Sequence, residues 1–297
     1  MFDHLTELLN AINAHDDVSY WNILGDNFYD QKGDNTGAFF NALSRQSKSK
    51  VFGSVPGNHD FWINASPKLW TKKDQLGSGF MQFYAQDVAA SEADPTIPYD
   101  FSADPDSADT SAENLPPLDN YFYFNQVGNV AFIGYSGAHD YSETEVYFEA
   151  ACNWAASTAG IDTILLLGHW NSDGDGCDAD MTVPEVYKAI AALPACQPLA
   201  PKIRYMLGHA HCNLIVEEDV GFMVGGMGMS DIKCGGTFGI PVVDTIGGMF
   251  KVYYFPVQQA WPAATLHQYD EVLSCIREHV VSGCYHLATE WTTVALA

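Results

Sequence analysis

The chain has 297 residues, of which 47% are hydrophobic and 13% aromatic, and 37 Asp and Glu against 13 Lys and Arg give a formal net charge of -24. This length and apolar content suit one large folded domain or two small ones, and argue against a disordered chain. The acidity argues against a nucleic-acid binder, which needs clustered cations, and against docking on anionic membranes; no apolar run approaches the roughly 20 residues of a bilayer span.

Met1 opens directly onto a helical pattern in which Phe2, Leu5, Leu8, Leu9 and Ile12 share one face. No signal peptide is readable there, and a leader lost with an upstream part would make the protein a secreted one. Val18 to Leu24 then reads as a strand ending at Gly25-Asp26. A helix is expected around Thr36 to Ser47, and a second strand over Val51 to Val55 ends in Pro56-Gly57-Asn58-His59-Asp60. Asn64-Ala65-Ser66 is a glycosylation triplet, weakened by the following Pro67.

The stretch from about 87 to 120 is rich in Asp, Ser, Ala and Pro and has no Lys or Arg, the composition of a long acidic insertion. Tyr121 to Phe124 and Val130 to Tyr135 read as strands joined by a turn at Gly128-Asn129. A helix over Glu143 to Ser157 precedes an apolar strand, Ile161 to Leu167, ending in Gly168-His169. A helix over Val183 to Leu193 precedes another, Ile203 to Leu207, ending in Gly208-His209-Ala210-His211. Further strands are expected at Val220 to Val224 and Met249 to Phe255, and one helix, Tyr269 to Val281, in the tail. Seven cysteines between Cys152 and Cys284 include no CxxC pair, so a thiolate zinc site is not indicated, and spacing leaves pairing and compartment open.

Four apolar runs thus stop beside a glycine followed at once by a side chain able to bind metal. Buried strands align their ends along one sheet edge, so distant residues can converge there. Asp26, Asn58, His169 and His209 make a carboxylate, an amide oxygen and two imidazoles, a set suited to Zn, Mn or Fe rather than Ca or Mg. Asp26 could bridge to a second ion, and His211 could address that neighbour.

The series Gly25-Asp26, Gly57-Asn58-His59-Asp60, Gly168-His169 and Gly208-His209-Ala210-His211 resembles the motif set of the calcineurin-like metallophosphoesterases over roughly residues 1–256. The resemblance implies an α+β fold, a four-layer αββα sandwich of two mixed β-sheets flanked by helices. It implies two di- or trivalent metal ions, with Asp26 bridging, Asn58, His169 and His209 on one ion and His211 on the other. It implies hydrolysis of a small phosphorylated substrate, a phosphomonoester first and a phosphodiester second, by a metal-bound hydroxide. His59 would protonate the leaving oxygen and Asp60 would orient it. Gly25-Asp26-Asn27-Phe28-Tyr29 further resembles the GDxxY motif of purple acid phosphatases, which makes Tyr29 a candidate ligand of ferric iron; the alternative is a core or rim tyrosine.

The resemblance also calls for an Asp-x-His or Asp-x-Gly motif on a strand before Gly25-Asp26. Only 25 residues precede Asp26 and they begin as a helix, so the first strand and its aspartate are expected to be missing. A fragment of a longer protein and a degenerate, non-catalytic metal-binding scaffold both fit this gap. The expected organisation is a phosphoesterase domain over 1–256, with the insertion at 87–120, and a C-terminal extension over 257–297. Asp173 to Asp180 resembles a calcium loop only superficially, because Pro184 stands where the bidentate Glu belongs.

Overall fold

A computed structural model describes residues 2–27, 34–61, 84, 121–170, 180–211, 213–225, 237–259, 264–265 and 268–296. The acidic stretch 87–120, the glycosylation triplet, Tyr29 and most of the calcium-like loop lie outside them. The chain forms two compact units, one of Ile23–Asp34 with Gly53–His209, the other of Met1–Asn22, Asn35–Phe52 and Ala210–Ala297. Helices flank mixed and antiparallel sheets, an α+β architecture consistent with the calcineurin-like sandwich.

The first of these units is built on strands β3 (Tyr123–Val127), β4 (Val130–Gly134), β5 (Thr163–Leu167) and β6 (Ile203–Leu207), adjacent in that order. β3 and β4 form an antiparallel hairpin, whereas β4 with β5 and β5 with β6 are parallel. Every residue of β4, β5 and β6 is buried, the pattern of central strands covered on both faces. That explains why they read as mostly apolar runs rather than alternations; Arg204 in β6 is buried too and donates to Thr163 Oγ1 of β5. Parallel neighbours need a crossover, supplied by the helices Tyr141–Ser157 and Val183–Ala192. The first helix packs Phe148, which is fully buried, edge-on against Phe122 with ring centroids 5.0 Å apart. A disulfide between Cys152 and Cys196 ties it to the turn after the second. Parallel registry brings the ends of β5 and β6 side by side, with Leu167 opposite Met206.

Strands β1 (Tyr20–Leu24) and β2 (Val51–Val55) pair with each other. Their last residues and the turns after them belong to the same compact unit as β5 and β6.

In the other unit the helix Phe2–Asn13 presents Leu5, Leu8 and Ile12 to Val272, Leu273 and Ile276 of the helix Tyr269–Glu278. The sheet beside this core is antiparallel in its described pairings, with β10 (Met249–Gln259) at its centre between β9 (Thr237–Asp244) and β12 (Thr289–Ala295), and β11 (Ala264–Thr265) on its end. β7 (Leu214–Glu217) and β8 (Gly221–Met223) form a hairpin. The tail helix ends at Glu278, and a second disulfide, Cys275 to Cys284, anchors the 3-10 turn that follows it. The tail then returns a strand to the sheet begun before residue 256. Among the described residues no helix is long and apolar enough to cross a membrane.

Candidate active site

Each candidate ligand follows directly on a strand end. Asp26 comes two residues after β1, Asn58 three after β2, His169 two after β5 and His209 two after β6. The chain turns sharply at these places: Gly25 has φ 85°, and Asp26 and His209 adopt φ 51° and 74°. Such left-handed backbone is unfavourable for residues with a Cβ and collects at functional sites.

Four side-chain atoms converge. His169 Nε2 lies 3.3 Å from Asp26 Oδ2, 3.2 Å from Asn58 Oδ1 and 3.2 Å from His209 Nδ1. His209 Nδ1 is also 3.2 Å from Asn58 Oδ1. Asn58 and His169 are almost wholly buried, at 1% and 2% exposure.

The protonation of His169 follows from its other nitrogen. Nδ1 lies 2.7 Å from the carbonyl of Leu24, which can only accept, so Nδ1 carries the proton and donates it. The neutral ring therefore turns a lone pair on Nε2 toward two oxygens and another imidazole. A proton on Nε2 would serve one of these neighbours, whereas a cation at this point could meet them all. Burial lowers the His169 pKa, but the Asp26 carboxylate beside it outweighs burial and raises it. Burial likewise pushes Asp26 up, and the charge and hydrogen bond of His169, then His59, hold it well below the usual carboxylate range.

These residues fit a metal ion. Bonds of about 2.0–2.2 Å at tetrahedral or octahedral angles set neighbouring donor atoms about 3–3.5 Å apart, the separation of the three neighbours from His169 Nε2 and of Asn58 Oδ1 from His209 Nδ1. Among the described residues no group of three or more His, Cys, Asp and Glu is placed to hold an ion by itself. The convergence instead includes an amide oxygen, Asn58 Oδ1, and that atom touches both imidazoles.

Around this point a second layer ties the loops together. His59 donates its backbone N–H to Asp26 Oδ1 at 2.9 Å. Asp60 accepts from the Gly57 backbone at 2.7 Å and from Asn27 twice, through its backbone at 3.0 Å and its amide at 2.8 Å. Asn27, 3% exposed, also donates to the Val55 carbonyl and accepts from Ser54 Oγ. Asp60 thus braces the turn after β2 against the turn after β1. Burial of its carboxyl, then the nearby Asp26 charge, push it up to about 7, against those three N–H donors, which favour the ionised form. Part of the Asp60 residue remains exposed, but its carboxylate is enclosed by the two turns it joins.

A family model for calcineurin-like phosphoesterases matches residues 1–213. The chain belongs to the calcineurin-like phosphoesterase family. No curated protein matches it. Members of this family are metal-dependent hydrolases of phosphoric esters that typically hold two divalent ions.

In this calcineurin-like phosphoesterase the structure brings Asp26, Asn58, His169 and His209 together, with His59 and Asp60 on the adjoining turn. His211 is partly exposed, has φ 54° and belongs to the unit that begins at Ala210. Sequence reading did not find Asn27, Ser54 or the Leu24 carbonyl. Asn27 follows Asp26 directly, but neither its neighbours nor its type marks it as the partner of a carboxylate 33 residues away.

Proposed function

We propose that this calcineurin-like phosphoesterase hydrolyses phosphomonoesters, with phosphodiesters as its second substrate class, at the Asp26, Asn58, His169 and His209 group. The observation that supports this reading is the approach of Asp26, Asn58 and His209 donor atoms to within 3.2–3.3 Å of His169 Nε2, with Asn58 and His209 also 3.2 Å apart. These four would hold one cation. Asp26 would bridge to a second, with His211 and, by the purple acid phosphatase resemblance, Tyr29 as its further ligands. The mixed oxygen and nitrogen donors suit Zn, Mn or Fe. When bound, such ions draw charge from phosphoryl oxygens and acidify water.

The chain's own residues do the rest. Water attacks phosphorus in line and its protons stay with the phosphate formed, the bond to the leaving oxygen breaks, and protonated His59 gives that oxygen a proton, which it regains from solvent. The backbone N–H of His59 on Asp26 fixes the base of that side chain beside the ligands. Asp60 acts as a positioning residue by joining the two turns. The proposed catalytic domain covers residues 1–256, with 257–297 as an extension that carries the tail helix and returns a strand.

The test is to load the purified chain with Zn, Mn or Fe, count bound metal, and assay p-nitrophenyl phosphate against bis-p-nitrophenyl phosphate. Faster metal-dependent turnover of the monoester is expected. A preference for the diester would overturn the substrate order. Bound metal with no turnover of either would leave a metal-binding scaffold. A broad tyrosinate-to-iron absorption band would support Tyr29; a colourless, active iron form would exclude it.

A further inference from the structure

The His169 ring is enclosed on several sides by places where a side chain is missing. A Cβ on Gly25 would lie 2.7 Å from His169 Cγ, one on Gly208 would lie 3.1 Å from Nδ1, and one on Gly57 would meet the Asp26 backbone and carboxylate first and His169 Cε1 at 2.9 Å. Real Cβ atoms do not approach heavy atoms within 3.0 Å, and contacts between 3.0 and 3.4 Å are already tight. These glycines come from three different turns, after β1, β2 and β6, and the ring they crowd belongs to a fourth, after β5. Trp170, 2% exposed, meets the ring edge to face with centroids 5.5 Å apart, and itself fills the space over Gly137.

We propose that Gly25 and Gly208 are positioning residues that act through the His169 imidazole, and Gly57 one that acts through both Asp26 and that ring, so that the space they leave sets how tightly the site holds its cation. The inference rests on the reading of this group as a cation site and explains the glycines of its turns. Only Gly25 of the three needs left-handed backbone; Gly57 and Gly208 are required for room. Gly208 is the most informative. Its Cβ would also stand 2.6 Å from the Leu24 carbonyl oxygen, so alanine there presses on both partners of the hydrogen bond that fixes the ring tautomer. Partners that orient a ligating imidazole in this way are worth about 10–100-fold in metal affinity.

The experiment titrates the metal-free full chain with Mn²⁺ and with Zn²⁺ by calorimetry, in the wild type, Gly208→Ala and Gly134→Ala. The last is a matched overpacking control, because its Cβ would press on buried Tyr123 and not on the ring. Gly208→Ala is expected to bind about 10–100-fold more weakly, while Gly134→Ala loses thermal stability and keeps its affinity. Equal affinity in Gly208→Ala and the wild type, or equal losses in both variants, would overturn the inference. A wild type that binds neither ion would overturn the reading of the site instead. Should Gly208→Ala fail to fold, nitrogen-15 NMR of the metal-free wild type decides: a single Nδ1–H tautomer for His169 is expected, and a mixture of tautomers overturns the cage.

Discussion

In the proposed reaction His59 protonates the leaving oxygen, so its worth depends on how much that oxygen needs the proton. For an alkyl phosphate, His59→Asn is expected to lower kcat about 10²–10⁴-fold, the usual range for general acid catalysis. For p-nitrophenyl phosphate, whose leaving group is already a weak base, the loss should be much smaller. Steady-state rates on the two substrates check this, and equal losses would assign His59 to something other than proton donation. Asn27 has a different kind of task. It serves Asp60, Ser54 and Val55 at once from a buried position. Hydrogen bonds to charged groups contribute about 1.5–3 kcal/mol, so Asn27→Ala should cost about that much in urea unfolding. The converging residues Asp26, Asn58, His169 and His209 were legible because glycine and a donor side chain stop a strand; Asn27 and the Leu24 carbonyl were not, because a partner's partner is known only once the turns are folded together.

At the level of elements, β5 was readable because a strand buried on both faces is nearly all apolar, and β6 was readable in spite of Arg204, which is buried and donates to Thr163 Oγ1 of β5. β9 was not, since Gly239 and Pro241 break its pattern while pairing with Pro256 and Tyr254 holds it in the sheet. β12 was hidden by three threonines and a glutamate that break its apolar pattern, and its register with β10 slips at a bulge. The helix Val183–Ala192 carries its start signal in sequence: Glu185 accepts from the Thr182 backbone at 2.8 Å and from its hydroxyl at 2.7 Å. Glu185→Ala should therefore destabilise the fold by about 1 kcal/mol, as loss of a helix cap does, and thermal unfolding monitored by circular dichroism reads it.

For the molecule as a whole, 37 acidic residues make stability at low pH a question of which carboxylates have partners. Glu7 accepts a hydrogen bond from the Tyr269 hydroxyl at 2.9 Å and pairs with Arg277 at 2.6 Å, linking the first helix to the tail helix. The Tyr269 bond, opposed by burial and helped by Arg277, holds Glu7 below its ordinary value. A depressed carboxylate stabilises the fold above its unfolded pKa, and this stabilisation is lost as pH falls through the folded value. Glu7→Gln should thus flatten the acid side of the stability curve below about pH 4.5, by under about 1 kcal/mol for so exposed a pair. Chemical denaturation at pH 3 to 7 checks it.

The left-handed turns at Asp26 and His209 carry a further implication, for how this protein responds to selection. Each holds a residue where glycine would rest more easily, at a cost on the order of 1–3 kcal/mol. His209→Gly is expected to melt at a higher temperature than the parent when both are metal-free, while binding no ion; a lower melting point would show that the turn is unstrained. Breeding for heat resistance without an activity screen would then erode the proposed ligands first and leave the sheets intact.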